Sequence, residues 1–109
     1  MENNATCPIK KWLISWTQEN FMSKDRVIEL LGQMILILFR RWCTENGVTY
    51  EVSTQAFGLR LKRMGLSGIS KGRHTNKGET KYFNIDNLIK DLNIKDLVIM
   101  PDSEFEYDC

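Results

Sequence analysis

The sequence predicts a single α+β domain that is mostly helical. Four segments place apolar residues at the three- and four-residue spacing of a helix. A basic segment whose loop has two glycines lies between the third and the fourth of them, as in two strands joined by a turn. The order is therefore helix, helix, connector, helix, hairpin and helix. This is the order of a winged helix-turn-helix domain, with a three-helix core, a basic two-stranded wing and a short C-terminal helix.

Length and composition favour one soluble domain. The chain has 109 residues, of which 42% are hydrophobic and 27% are charged, and this is enough for one modest core. Its longest apolar run, 34–39, is far shorter than the roughly 20 residues of a membrane-spanning helix. The N-terminus lacks the pattern of a secretory signal. We expect a domain at 8–100, disordered residues at 1–7 and a flexible acidic tail at 101–109, in an intracellular and reducing setting.

Two helices open the predicted core. The first is expected at 8–20, and its inward face comprises Ile9, Trp12, Leu13 and Trp16. We interpret these tryptophans as core residues rather than as groups that stack on bases. The second helix is predicted from 23–25 to Asn46, with Gly47 as its C-cap. Its wide apolar stripe makes it the central element and consists of Val27, Ile28, Leu31, Met34, Ile35, Leu38, Phe39 and Trp42.

A short connector at 48–52 leads into the third helix. Its apolar-polar alternation also allows a short strand, but we treat it as a connector. The third helix begins at Ser53 or Thr54, either of which is able to cap it, and ends at Gly65. Its inward face comprises Phe57, Leu61 and Met64. We expect Trp42 to pack against Phe57 where the second and third helices cross.

The next segment predicts a hairpin with a basic tip. Strands are expected at 68–71 and 79–85, and the loop between them, 72–78, has a glycine at each end that permits positive φ angles. Asp86 is then placed to cap a last helix. The inward residues of that helix are Ile85, Leu88, Ile89 and Leu92, and a further apolar patch follows at 94–100.

Basic side chains are concentrated in the third helix and the hairpin. Residues 53–82 contain seven lysines or arginines and one acid, a local net charge of +6, whereas the whole chain carries +1. Residues 83–109 have a local net charge of −5. A basic helix followed by a basic hairpin indicates a polyanionic partner such as DNA or RNA.

We predict that this basic region binds DNA, either single-stranded or duplex. The outward face of the third helix enters a groove, where Gln55 is able to pair with adenine and Arg63 with guanine. The hairpin holds phosphates through Lys71, Arg73 and Lys77. The full set of predicted DNA-binding residues is Ser53, Thr54, Gln55, Leu59, Lys62, Arg63, Lys71, Arg73, His74, Asn76, Lys77 and Lys81.

The sequence does not favour an enzyme. Gly72 and Gly78 are followed by Glu79 and lack the pattern of a phosphate loop that binds ATP. The only histidine, His74, lies in the predicted hairpin loop without a partner nucleophile. Three cysteines without metal-ligand spacing predict neither a zinc site nor a disulfide framework. We expect no catalytic residues, no metal and no cofactor.

Three motifs are shared with a known family. They are 39–47 (FRRWCTENG), 53–61 (STQAFGLRL), and 64–66 (MGL) followed by the basic hairpin and 82–85 (YFNI). Over roughly residues 8–86 the chain thereby resembles the C-terminal domain of phage, plasmid and poxvirus-type helicase-primases. The primase and ring ATPase motifs of that family are absent from this sequence.

The resemblance implies a non-catalytic DNA-binding module in the replication of a phage, plasmid, virus or other mobile element. It would act as an accessory to a primase-helicase system or as its C-terminal part. The alternative is a protein-interaction module, in which Leu59, Leu66 and the acidic tail dock onto a replicative polymerase, primase or helicase.

Overall fold

Four helices and a three-stranded antiparallel sheet make up the α+β fold of the computed structural model, which describes residues 7–94. The helices are α1 (Pro8–Glu19), α2 (Gly32–Glu45), α3 (Thr54–Arg63) and α4 (Ile85–Asp91), and the strands are β1 (Val27–Leu31), β2 (Ile69–Thr75) and β3 (Gly78–Asn84). The strand order is β1-β3-β2. No helix in this part of the chain is long and apolar enough to cross a bilayer. The expected N-terminal disorder, most of the apolar patch and the acidic tail lie outside the described residues, apart from Cys7.

The second predicted helix is wrong over residues 27–31. These residues form β1, and α2 begins only at Gly32. β1 pairs with β3, which places Ile28 opposite the fully buried Phe83. The backbone hydrogen bonds of this pairing and the burial of one strand face outweigh the helical spacing of the apolar residues. Met34, which belongs to the predicted stripe, is 42% exposed. The continuous stripe is therefore wrong.

The segment before α3 contains no strand, and its apolar residues Val48, Tyr50 and Val52 pack partly against the core. Ser53 rather than Thr54 caps the helix, since its Oγ accepts a hydrogen bond from the Ala56 N–H at 3.1 Å. The chain leaves α3 through Gly65, whose φ of 61° is in the left-handed region. Both predicted ends of this helix are confirmed to within two residues.

The hairpin has a longer first strand and a tighter turn than the sequence predicts. β2 and β3 extend into the predicted loop and leave Asn76 and Lys77 between them. The Thr75 hydroxyl donates to the Gly78 carbonyl at 2.7 Å and accepts from the Lys77 N–H at 3.2 Å. Gly78 has a φ of 122°, so one of the two loop glycines has the predicted positive φ. A side chain thus closes the turn that we expected the glycines to form.

Asn84, not Asp86, caps α4. The Asn84 side-chain oxygen accepts from the Asn87 N–H at 3.1 Å. The Asp86 carboxylate instead forms a surface ion pair with Arg26, with 2.7 Å between Nη2 and Oδ1. The predicted inward residues Ile85, Leu88 and Leu92 are buried, and Ile89 is partly buried against them.

The ring of Phe39 is the centre of the core. It is 0% exposed, and its centroid lies 5.1 Å from that of Phe57 and 5.9 Å from those of Trp12 and Tyr50. Phe39 therefore takes the place that the sequence assigned to Trp42, which is half-buried and stacks on Phe39 at 6.4 Å. The predicted inward residues of α1, which are Ile9, Trp12, Leu13 and Trp16, are all buried.

The two described cysteines are both buried. Cys43 is a free thiol in α2. Cys7 is disulfide-bonded, which the spacing of the cysteines did not predict. A disulfide bond is not expected in a reducing compartment, so the cysteines do not support the predicted reducing setting.

Replacing Phe39 by alanine removes the ring on which four others pack. We expect Phe39→Ala to lower the free energy of unfolding by about 3–5 kcal/mol, which is much of the ~5–15 kcal/mol that holds a small domain together. Chemical denaturation of the variant and the wild type measures the difference. Ile37→Ala, an exposed site on the same helix, is the control, and equal losses in both variants would contradict this description of the core.

Candidate functional site

The outward face of α3 is exposed along the whole helix. Burial of Phe57 and Leu61 against the core determines which side of α3 faces solvent. Near the middle of that side, Leu59 is 54% exposed. All the helix residues that the sequence predicted as contacts are exposed, namely Ser53, Thr54, Gln55, Leu59, Lys62 and Arg63.

Arg60 is turned away from this face. Its Nη1 donates to the Tyr50 hydroxyl, and its guanidinium carbon lies 5.6 Å from the centroid of the Tyr50 ring. Tyr50 in turn packs edge-on against Phe39. One of the seven basic charges of residues 53–82 therefore fixes the connector to α3 instead of facing a partner.

The tip of the hairpin combines one positive charge with neutral polar groups. Asn76 and Lys77 are exposed in the turn, and His74 is exposed just before it. His74 lies opposite Glu79 on the neighbouring strand. The tip therefore has less positive charge than the sequence of the predicted loop, 72–78, suggests.

A β-bulge interrupts β2 beside this tip. The regular pairs on either side of it are Lys71 with Lys81 and His74 with Glu79. The two residues between them, Gly72 and Arg73, both lie opposite Thr80. A Cβ at Gly72 would lie 2.8 Å from the backbone of Thr80, so only glycine fits there without movement. The bulge lets Lys71 and His74 face one side of the sheet while Arg73 faces the other.

Arg73 is bound by Glu29 of β1. Its Nε and Nη2 each donate to one carboxylate oxygen of Glu29 at 2.9 Å. The Thr80 hydroxyl donates to Glu29 at 2.7 Å and accepts from the Arg73 N–H at 2.8 Å. These hydrogen bonds, first from Arg73 and then from Thr80, lower the pKa of Glu29 below its ordinary value. The hydrogen bond to Glu29 correspondingly raises the pKa of Arg73.

This ion pair changes the role expected of Arg73. The sequence assigns Arg73 to a phosphate clamp, whereas in the structure a carboxylate already balances its charge. Sequence reasoning missed Glu29 because it placed residues 27–31 in a helix. The signal that could have indicated a strand is the alternation of Ile28 and Leu30 with the polar Glu29, and these two apolar residues pack partly against the core.

A groove of about 560 Å³ separates α3 from the hairpin. Three of the predicted contact residues line it, and they are Lys62 of α3, Lys71 of β2 and Lys81 of β3. Its floor is apolar and includes Leu61, Leu66 and Ile69. Within residues 7–94, none of these three lysines forms an ion pair with a carboxylate. The structure thus brings together basic residues that the sequence placed on separate elements.

The described residues offer an anion positive charge and hydrogen-bond donors. Among residues 7–94 there is no group of three or more histidine, cysteine or acidic side chains that is arranged to hold a metal ion. Burial raises the pKa of the Cys43 thiol, which disfavours the reactive thiolate. The exposed lysines, arginine and amides of α3 and the hairpin are suited to phosphate groups and base edges.

Comparison with known proteins gives no match. No family model matches the chain, and neither a curated protein nor a solved structure is similar enough to count as a relative.

Glu29→Gln removes the carboxylate that binds Arg73, and we expect the variant to melt at a lower temperature than the wild type near neutral pH. The pKa of Glu29 is lower in the folded than in the unfolded chain, so its ion pair stabilises the fold at pH values above the unfolded pKa. This contribution is lost as the pH falls through the lower, folded pKa. The difference in Tm between variant and wild type should therefore shrink on acidification.

Thermal melts at a series of pH values measure this difference. Glu51→Gln, at an exposed glutamate of the connector, is the matched control and should leave Tm nearly unchanged. A difference in Tm between Glu29→Gln and the wild type that is the same at neutral and at acid pH would show that the ion pair does not stabilise the fold.

Proposed function

We propose that this chain is a non-catalytic DNA-binding module of the winged helix-turn-helix type that acts in the replication of a mobile genetic element. The element order supports the architecture. α2 and α3 are consecutive helices joined by a connector, and the β2–β3 hairpin that follows them has the position of a wing. β1 completes the sheet by pairing with β3.

The observation that carries the proposal is the lysine-lined groove between α3 and the hairpin. A helix and a hairpin that present unpaired positive charge toward the same space are able to hold the backbone of a nucleic acid between them. Lys62, Lys71 and Lys81 come from three different elements of the fold, and each of them has its charge unbalanced within residues 7–94.

The dimensions of α3 suit duplex DNA. A helix with its side chains is about 10–12 Å across, and the major groove of B-DNA is about 12 Å wide. Gln55 and Arg63 are exposed on the outward face of α3, where a bidentate contact to adenine or guanine is sterically open. Lys62 lies beside them, at the edge of the groove that faces the hairpin.

The exposed apolar residues favour a duplex over a single strand. Proteins that bind single strands stack bases on exposed aromatic rings. Among residues 7–94, the large hydrophobic side chains that are exposed are all aliphatic, namely Met22, Val27, Met34, Ile37 and Leu59. The rings of α1 and α2 are buried or half-buried in the core. We therefore infer that duplex DNA is the preferred ligand.

The context of replication is supported by the sequence resemblance to the C-terminal domain of helicase-primases. Such a module would position DNA for a primase or helicase that carries the catalytic residues. Its partners would then be duplex DNA and a replicative polymerase, primase or helicase.

One observation favours the competing function of a protein-interaction module. Leu59 is 54% exposed in the middle of the outward face of α3, and Leu66 lines the groove beside it. An exposed leucine of this kind also suits an apolar pocket on a protein partner. The two functions differ in how binding depends on salt.

Fluorescence anisotropy with a labelled duplex and the matching single strand, over a range of salt concentrations, tests the proposal. We expect the full chain to bind the duplex more tightly, with a logarithmic salt slope of about −0.9 for each phosphate contact. Three groove lysines predict a slope steeper than about −2.5 on this basis. Absence of duplex binding at low salt, together with loss of a protein partner in Leu59→Ala, would replace DNA binding by the interaction function.

The outward face of α3 should distinguish DNA sequences if it reads bases. Arg63→Ala and Gln55→Ala are each expected to weaken binding to a selected preferred duplex by about 1–3 kcal/mol and to change binding to other duplexes much less. Arg41→Ala removes an exposed arginine on the α1 side of α2 and is the control. Equal losses on all duplexes would mean that α3 contacts the backbone alone.

A further inference from the structure

Lys71 and Lys81 are directly opposite each other in the β2–β3 pairing. Residues paired in this way have their side chains on the same face of the sheet, with Cβ atoms about 4.5–5.5 Å apart, and two like charges at that spacing destabilise the fold. Lys62 adds a third positive charge from α3. Glu79 also lines the groove but forms no ion pair with them within the described chain.

The opposite face of the same sheet shows a different arrangement. There Arg73 is held by both carboxylate oxygens of Glu29 at 2.9 Å. Among residues 7–94, the charge of Arg73 is therefore balanced by a carboxylate, whereas the charges of Lys71 and Lys81 are not. An anion in the groove would supply the missing negative charge.

We propose that the groove between α3 and the hairpin is a phosphate-binding site, in which Lys71 and Lys81 hold one tetrahedral oxyanion from two sides and Lys62 closes it from the helix. Lysine ammonium groups act as mobile point charges and are able to converge on one such group. The volume of about 560 Å³ leaves room for it and for water.

The site suits a phosphate oxyanion, which could come from two sources. One is a backbone phosphate of duplex DNA, and this source rests on the proposed function. The other is free inorganic phosphate or polyphosphate, and this source does not depend on the proposed function. In either case the bound anion removes the repulsion between the lysines, so ligand binding should stabilise the fold.

Thermal melts of the full chain in sodium phosphate and in sodium chloride at matched ionic strength test the site first. Phosphate should be kept low, because at high concentration it stabilises proteins generally. We expect a higher Tm in phosphate than in chloride. The double variant Lys71→Gln/Lys81→Gln should lose that increment and melt in chloride at or above the wild-type temperature.

A matched control removes the same charge elsewhere. Lys24 and Lys90 are exposed and lie outside the groove, so Lys24→Gln/Lys90→Gln should keep the phosphate increment. Equal melting temperatures of the wild type in the two salts would overturn the site. The site would also be overturned if Lys71→Gln/Lys81→Gln kept the rise in Tm in phosphate. It would likewise be overturned if the control pair lost that rise to the same extent.

Duplex binding then separates the two sources. If a backbone phosphate occupies the groove, Lys71→Gln/Lys81→Gln should reduce the salt slope for duplex DNA by about two, while the control pair leaves it unchanged. The rise in Tm in phosphate could depend on the groove lysines although the chain binds no duplex. That result would support a free oxyanion as the ligand and would count against the proposed function alone. Tight duplex binding without any effect of phosphate or of the groove lysines would reject the site and leave the proposed function standing.

Discussion

The antiparallel pairing of β1 with β3 is the interaction on which the arrangement of this protein depends. β1 precedes the helices α2 and α3, and β3 follows them, so the pairing brings together the segments on either side of these two helices. Phe83 of β3 is fully buried and its ring lies 5.1 Å from that of Trp16 in α1. Because β3 is the central strand, the hairpin is held against the helices rather than extending freely from them.

The features that the sequence predicted correctly depend on residues close together in the chain. The Ser53 side chain accepts from the N–H of a residue three positions later. Gly47, with a left-handed φ of 66°, follows the end of α2 directly. The inward faces of α1 and α3 follow from spacing within a single helix. The exposure of the predicted contact residues of α3 follows from the same spacing. Local physical chemistry was sufficient for these parts of the fold and of the candidate site.

The features that the sequence did not predict depend on distant partners. β1 forms a strand because β3, which is distant in the sequence, supplies its hydrogen-bond partners, as in the pair of Val27 with Asn84. Glu29 binds Arg73 across 44 positions, and Arg26 binds Asp86 across 60. Helical spacing in one segment contains no information about such partners. For this reason the sequence identified the basic residues but did not show which of them form ion pairs with a carboxylate.

The bulge at Gly72 determines on which face of the sheet the charge of Arg73 lies. If β2 continued without the extra residue, alternation would turn Arg73 to the same face as Lys71 and would separate it from Glu29. The two faces of the sheet differ in charge because of the register of pairing, and the composition of the strands alone does not determine that difference. The same amino acids in the same order, paired one position differently, would make another electrostatic surface. In this hairpin, the number of residues between fixed pairs therefore determines the charge of each face as much as the identity of those residues does.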